Sequence, residues 1–221
     1  MNSPVSKPRQ RAPTAGTDQK REAILRAAEV LFHTQGYERT TIEQIVAALG
    51  VTKPYVYYYF HNKQEIFETL SWLPTVECFT VFDGDEDAHL PPHERAARGL
   101  ERLIRATVLH YPAAFFAYRE PQAFRPEFKL AQKKIANHFY DRFCELLEAG
   151  RRSGHLQFNE TRITALAACS LPGFLYSWYQ PDGRLPAEAM VQELTSLAWR
   201  VIGLQPASPP PSTPRSARRS S

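Results

Sequence analysis

Seven side chains in the stretch TKPYVYYYFHNK, residues 52–63, have tips suited to a polyanion: Thr52, Lys53, Tyr55, Tyr57, Tyr58, Tyr59 and Lys63. A phenolic hydroxyl can hydrogen-bond a phosphate oxygen or a base edge, and an ammonium neutralises a phosphate. The same tyrosines would also serve as the cover of a small core with their hydroxyls in water, and residue type alone leaves both readings open. Other chemistry is poorly served. No G-x-S-x-G, H-E-x-x-H, P-loop or G-x-G-x-x-G occurs. Asp83, Asp85, Asp87 and Glu94 fall at EF-hand-like offsets, but Ala88 stands where the loop needs glycine and Pro91–Pro92 interrupt it. His89 and His93 lack convergent ligands for zinc. Cys78, Cys144 and Cys169 are odd in number and form no C-x-x-C, so they read as reduced core thiols. No cofactor, metal or enzymatic activity is expected.

The elements that must position the tyrosines are helical. Ile24, Leu25, Ala28, Leu31 and Phe32 form one stripe of a helix expected over Asp18–Gln35, which Gly36 ends. In TTIEQIVAALG, Thr40 and Glu43 have capping-box spacing, Ile42, Ile45, Val46 and Leu49 share a face, and Gly50 stops the helix. Thr52 is placed to cap a third helix over residues 53–59 with Pro54 in its first turn, and Asn62 a fourth from Lys63. On the third helix Val56 and Phe60 turn inward, Tyr57 and Tyr58 turn away, and Tyr55 and Tyr59 flank the core face. Two short helices joined at LGVT behind a longer one have the arrangement of a helix-turn-helix, in which the second helix is the one that enters a DNA major groove, although helical hairpins also occur in proteins that bind no DNA.

Over residues 18–67 the order helix–GY–Thr-capped helix–GV–YYYF–K resembles the N-terminal domain of the TetR (tetracycline repressor) family of bacterial transcription regulators. The resemblance implies that Thr52, Lys53, Pro54, Tyr55, Tyr57, Tyr58 and Tyr59 face DNA, with Thr41 and Lys63 near phosphates. Tyr55 departs from the small or polar residue usual at its place, so the base preference does not carry over.

From residue 63 onward helical patterns recur at 63–80, 93–110, 112–120, 126–153, 160–179 and 186–203, with a kink expected at Pro172–Gly173. The whole chain thus reads as all-α: a basic disordered tail (1–16), a three-helix DNA-binding domain (17–66, its fourth helix running to about 80), a larger helical ligand-binding and dimerisation domain (67–205), and a Pro/Ser-rich disordered tail (206–221). The family architecture implies a homodimer through the last two helices. Phe115, Phe116, Tyr118, Phe124, Phe128, Phe139, Phe143, Leu147, Tyr176 and Trp178 are candidates to line an apolar effector pocket, or are plain core. YREPQAF and SWYQPDGRL resemble the subset that senses acyl-CoA thioesters. Arg119, Arg125, Lys129, Lys133, Arg151 and Arg152 would then meet a CoA phosphate, or else form a solvated helix face.

The formal net charge of +4 sits in the tails: without Lys7, Arg9, Arg11, Arg215, Arg218 and Arg219 the body has 21 basic against 23 acidic residues. Basicity alone therefore argues little for DNA. No apolar run spans a bilayer and no signal-peptide core is seen, so a cytoplasmic location without a membrane partner is expected. The function expected is a repressor released from a palindromic operator by a small hydrophobic or CoA-thioester effector. A helical carrier or enzyme using the aromatic cavity, or an activator of the same family, stays open as an alternative.

Overall fold

The computed structural model describes residues 15–204, with side chains from residue 18. The tails expected to be disordered lie outside this range, apart from Ala15 and Gly16, which open the first helix. Among the described residues the fold is all-α: α1 (Ala15–Gln35), α2 (Ile42–Leu49), α3 (Lys53–Tyr59), α4 (Lys63–Phe79), α5 (Pro92–Leu109), α6 (Phe116–Arg119), α7 (Pro126–Arg152), α8 (Thr161–Gly173) and α9 (Ala187–Val201), with 3-10 turns at 113–115, 121–123 and 175–177.

Local chemistry sets the boundaries. Gly36 and Gly50 take the left-handed conformation, with φ of 84° and 65°. At Gly50 two backbone bonds, Gly50 N–H to Ala47 O and Val51 N–H to Val46 O, close the end of α2 as a Schellman motif. The capping box is one residue later than its spacing predicted. Thr41 Oγ1 accepts from Gln44 N–H, and Gln44 Oε1 accepts from Thr41 N–H at 2.9 Å. Thr40 is instead buried and donates to Gly36 O at 2.8 Å. Asn62 caps α4 by accepting from Glu65 N–H at 2.8 Å, as its position predicted.

Two further expectations are corrected. α8 does not kink and run on to 179: it ends at Gly173, and a 3-10 turn follows at 175–177. Pro172 brings no N–H donor, and glycine beside it loses more entropy on ordering than any other residue, so termination is favoured over a bend. The helix expected over 112–120 is likewise a 3-10 turn followed by the single turn α6.

The chain divides into two compact units, one up to Thr75 together with Pro112–Ala131, the other Val76–Tyr111 together with the chain from Gln132. The sequence-based division at 66–67 missed the return of residues 112–131 to the first unit. Packing accounts for that return. Phe67 lies edge-on to Phe32 at 4.9 Å and against Phe116 and Phe124 at 4.9 and 5.0 Å. These rings join Ile24, Ala28, Ile45, Val56 and Phe60 in one buried cluster. Glu68, 3 % exposed, accepts from Arg125 N–H at 2.8 Å and from its guanidinium, and Gln64 donates to Ala123 O at 2.9 Å.

In the second unit α5, α8 and α9 pack on one another, and Trp199 donates its indole N–H to Ala97 O at 3.0 Å. Phe82 stacks on Phe143 and Phe139 at 5.1 and 5.2 Å. Its ring occupies the space that a side chain at Gly99 would need, so α5 requires glycine there. No helix among the described residues is long and apolar enough to cross a membrane.

Candidate nucleic-acid interface

The two faces of α3 separate as the helical angle predicts. Val56 and Phe60 are 0 % and 1 % exposed, and Arg21 lies over the Phe60 ring at 4.8 Å. Tyr58 is 78 % and Tyr57 49 % exposed. Tyr55 and Tyr59 are half-buried, packed against the core cluster and edge-on to each other at 5.4 Å, and Tyr58 meets Tyr59 at 4.9 Å. The rings thus form a contiguous aromatic ridge in which Tyr55 and Tyr59 brace Tyr58 from the core side. Burying Val56 and Phe60 is worth roughly 1.5–3 kcal/mol each, which fixes the rotation of α3 and so the outward aim of Tyr57 and Tyr58.

Thr52 occupies the N-cap position of α3, but its hydroxyl makes no cap hydrogen bond. Thr52, Lys53 and Pro54 are all exposed. Thr41 is exposed with its hydroxyl in the cap of α2. Lys63 differs from the rest. Its ammonium donates to Tyr37 O at 2.7 Å and Glu38 O at 3.4 Å and lies over the Tyr37 ring at 4.1 Å. It clasps the start of α4 to the turn after α1, so two of its three donors are already used.

Charge is scarce on this surface. Residues 42–59 contain two charged side chains, Glu43 and Lys53, and these are bonded to each other. The Lys53 hydrogen bond, helped next by Glu43's own backbone amide and less by the Lys53 charge and the Thr41 hydroxyl, holds the Glu43 carboxyl below its ordinary pKa; Glu43 in turn raises Lys53. Glu43, whose spacing predicted a capping role, thus serves the turn between α2 and α3 instead. Sequence reasoning passed over it because a contact ten residues along the chain depends on the angle of that turn.

The ten residues predicted for an effector pocket are distributed between the two units. Phe115, Phe116 and Phe124 are buried and Phe128 half-buried in the first; Phe139, Phe143 and Leu147 are buried in the second. Tyr118, Tyr176 and Trp178 are 59 %, 37 % and 54 % exposed. An open cleft of about 430 Å³ in the second unit is lined by Glu77, Thr80, Val81, Arg102, Arg105 and Leu109 among others, and by none of the ten. Among the predicted cations, Arg125 is engaged by Glu68, Arg151 by Glu148 at 2.6 Å and Arg119 by His33 at 3.3 Å. Lys129, Lys133 and Arg152 are exposed. The acidic loop is an ion-pair site: Asp87, 6 % exposed, receives Arg98 and Arg102. No cluster of three or more potential metal ligands occurs among the described residues.

One more surface stands out in the second unit. Ile163 and Leu166 are 65 % and 43 % exposed and with exposed Ala167 and Ser170 follow one face of α8; Phe174, the residue that caps its end, is 60 % exposed. Leu197 of α9 is 43 % exposed.

Residues 24–70 match the family described as bacterial regulatory proteins, tetR family, and residues 89–202 match the tetracyclin repressor-like C-terminal domain. The HTH-type transcriptional repressor BepR of Brucella suis is 37 % identical over 172 residues, covering 72 % of this chain and 79 % of that protein. The crystal structure of the TetR family regulator PfmR from Thermus thermophilus has a TM-score of 0.71 at 24 % identity, covering 80 % of this chain and 97 % of that one. AibR in complex with isovaleryl coenzyme A and operator DNA has a TM-score of 0.63 at 20 % identity, covering 84 % of this chain and all of that one (100 %).

Proposed function

The chain belongs to the TetR family of bacterial transcription regulators, and from that premise we propose that it is a homodimeric repressor released from a palindromic operator by a small effector. Members of this family are regulators, not enzymes. The observation that carries the reading is the division of α3, with Tyr57 and Tyr58 outward and Val56 and Phe60 fully inward. Tyr57 and Tyr58 with Thr52 are the base-reading and backbone-contacting set, joined by Lys53 and Pro54 at the helix start. Thr41 lies at a phosphate, and Tyr55 and Tyr59 hold the ridge in place. Lys63 acts at one remove, by fixing the first turn of α4.

The exposed apolar face of α8 supports dimerisation. A stripe holding Ile163, Leu166 and Phe174 is costly in water and is relieved by a second copy of itself. Two heads then read half-sites about 34–36 Å apart. The basic N-terminal segment supplies further phosphate contacts. For the effector, a hydrophobic molecule or CoA thioester is the best-supported class, since AibR, of similar fold, was solved with isovaleryl coenzyme A. Phe139, Phe143 and Leu147 are the strongest lining candidates of the second unit. α4 runs from Lys63 to Phe79 and so carries residues of both units. A shift in α4 changes head separation, and effector and operator oppose each other as linked equilibria.

Selection of a bound duplex from a random-sequence pool, followed by a gel shift with and without isovaleryl-CoA, longer acyl-CoAs and free fatty acids, tests the reading. A two-fold symmetric duplex is expected, its affinity falling when the right acyl group is added and falling steeply with salt. Failure to enrich any duplex overturns it.

A further inference from the structure

α2 and α3 bring one cation to the DNA-facing surface, and α2 also supplies the anion that holds it. Lys53 opens α3, Glu43 stands in the first turn of α2, and the two are bonded across the turn with side chains 52 % and 60 % exposed. Exposure at this level places both groups where a phosphate approaching Lys53 also approaches a carboxylate. Over the rest of the head the charges balance: residues 18–75 hold six Lys or Arg against seven Asp or Glu, and of the cations Lys63 is committed to Tyr37 O. With no net positive charge, residues 18–75 contribute little of their own to the sequence-independent attraction that holds proteins to any duplex.

We infer that Glu43 is a specificity-determining residue: it holds Lys53 away from indiscriminate phosphate contact and repels non-cognate backbone, so that only a duplex satisfying Thr52, Tyr57 and Tyr58 draws Lys53 off. On mixed sequence, recruiting Lys53 means breaking its bond to Glu43 and bringing a carboxylate near the phosphates, with no hydroxyl contacts in return. On the operator the hydroxyl contacts form together and offset that cost. The surface therefore trades affinity for discrimination, and the quantity Glu43 controls is the ratio of operator to non-specific binding.

The inference rests on the DNA-binding reading and is tested alongside it with full-length protein, the selected duplex and poly(dI–dC), over a salt titration. Glu43→Gln keeps shape and hydrogen bonding but removes the charge. It is expected to tighten poly(dI–dC) binding by roughly three- to tenfold and to steepen the log–log salt slope by about 0.9 per head, one phosphate contact's worth. Selected-duplex binding should gain less, so the specificity ratio falls. In a Lys53→Gln background the Glu43→Gln slope gain should disappear, which separates release of Lys53 from a general change in charge. Thermal melts that match wild type exclude a folding effect for both exposed positions. A Glu43→Gln slope equal to wild type, weaker poly(dI–dC) binding, or a gain that survives Lys53→Gln overturns the inference while operator binding by the wild type stands. A wild-type protein that binds neither DNA removes the underlying reading as well.

Discussion

Two surfaces of this protein expose large apolar side chains, and they are built from different residues. On α3 the exposed groups are Tyr57 and Tyr58, rings that end in hydroxyls; on α8 and at its C-cap they are Ile163, Leu166 and Phe174, which end in hydrocarbon. A surface that must dry completely against a partner gains from pure hydrocarbon, since no polar group is left unpaired. A surface that meets a hydrated polyanion needs a donor at the tip of each ring. The difference supports the proposed division, a protein partner at α8 and a nucleic acid at α3, though both contain large exposed side chains.

The largest expected effect breaks the α8 side. Leu166→Glu buries an unpaired carboxylate in a self-complementary seam, so sedimentation should show monomer. Operator affinity should fall by about a hundredfold or more, because two linked heads bind far more tightly than one. A dimer that persists with Leu166→Glu would remove α8 from the interface.

On the α3 side, Tyr58→Phe keeps the ring and deletes only the oxygen. A loss of roughly two- to tenfold in operator affinity, without any change in melting temperature, is what one hydrogen bond is worth. If Tyr58→Phe instead lowers the melting temperature, the tyrosine ridge is structural cover and the contrast with α8 collapses.

Lys63→Ala sharpens the boundary of the DNA face. Removing the bond to Tyr37 O and the contact with its ring should cost about 1–2 kcal/mol of stability, read by urea denaturation. Its operator affinity should suffer mainly through the disturbed start of α4. An unchanged denaturation midpoint with a lost phosphate contact would return Lys63 to direct DNA binding.

The smallest effect concerns the connection between α7 and α8, where it meets the first turn of α5. His93 and His155 stack at 3.9 Å with rings nearly parallel, and His93 Nδ1 is buried without a partner. Burial, and then the neighbouring His155, hold His93 below its ordinary value, while Glu94 opposes weakly from 4.0 Å. Its folded-state pKa lies below the unfolded 6.5, so the stability it contributes is present above that pH and is lost as pH falls through it. A urea midpoint that drops between about pH 7.5 and about pH 5.5, and drops less in His93→Phe, is expected. Equal pH profiles for the two proteins would rule His93 out as the source.

How much of this was legible beforehand follows from the range of each interaction. The positions of α1 to α4 could be read because glycine stops, caps and apolar spacing are local, acting within about four residues. The rotation of α3 was readable for the same reason, since Val56 and Phe60 are one turn apart. The capping box was misplaced by one residue because Thr40–Glu43 and Thr41–Gln44 both fit the pattern, and burial of Thr40 decided between them. The aromatic residues of the middle helices defeated the sequence more thoroughly. Phe116, Phe124 and Phe139 look alike in a periodic pattern, yet the first two belong to one core and the third to another.

The sequence by itself determined the all-α class, the order of the helices through the DNA-binding region, and which tyrosines turn outward, because each follows from local backbone preference and helical periodicity. Tertiary structure alone decided that residues 112–131 join the head, that Lys63 is a clasp, and that Glu43 reaches across the turn to Lys53. Those outcomes depend on which elements come together, and contacts between residues distant in sequence are set by the packing of whole faces rather than by any short motif.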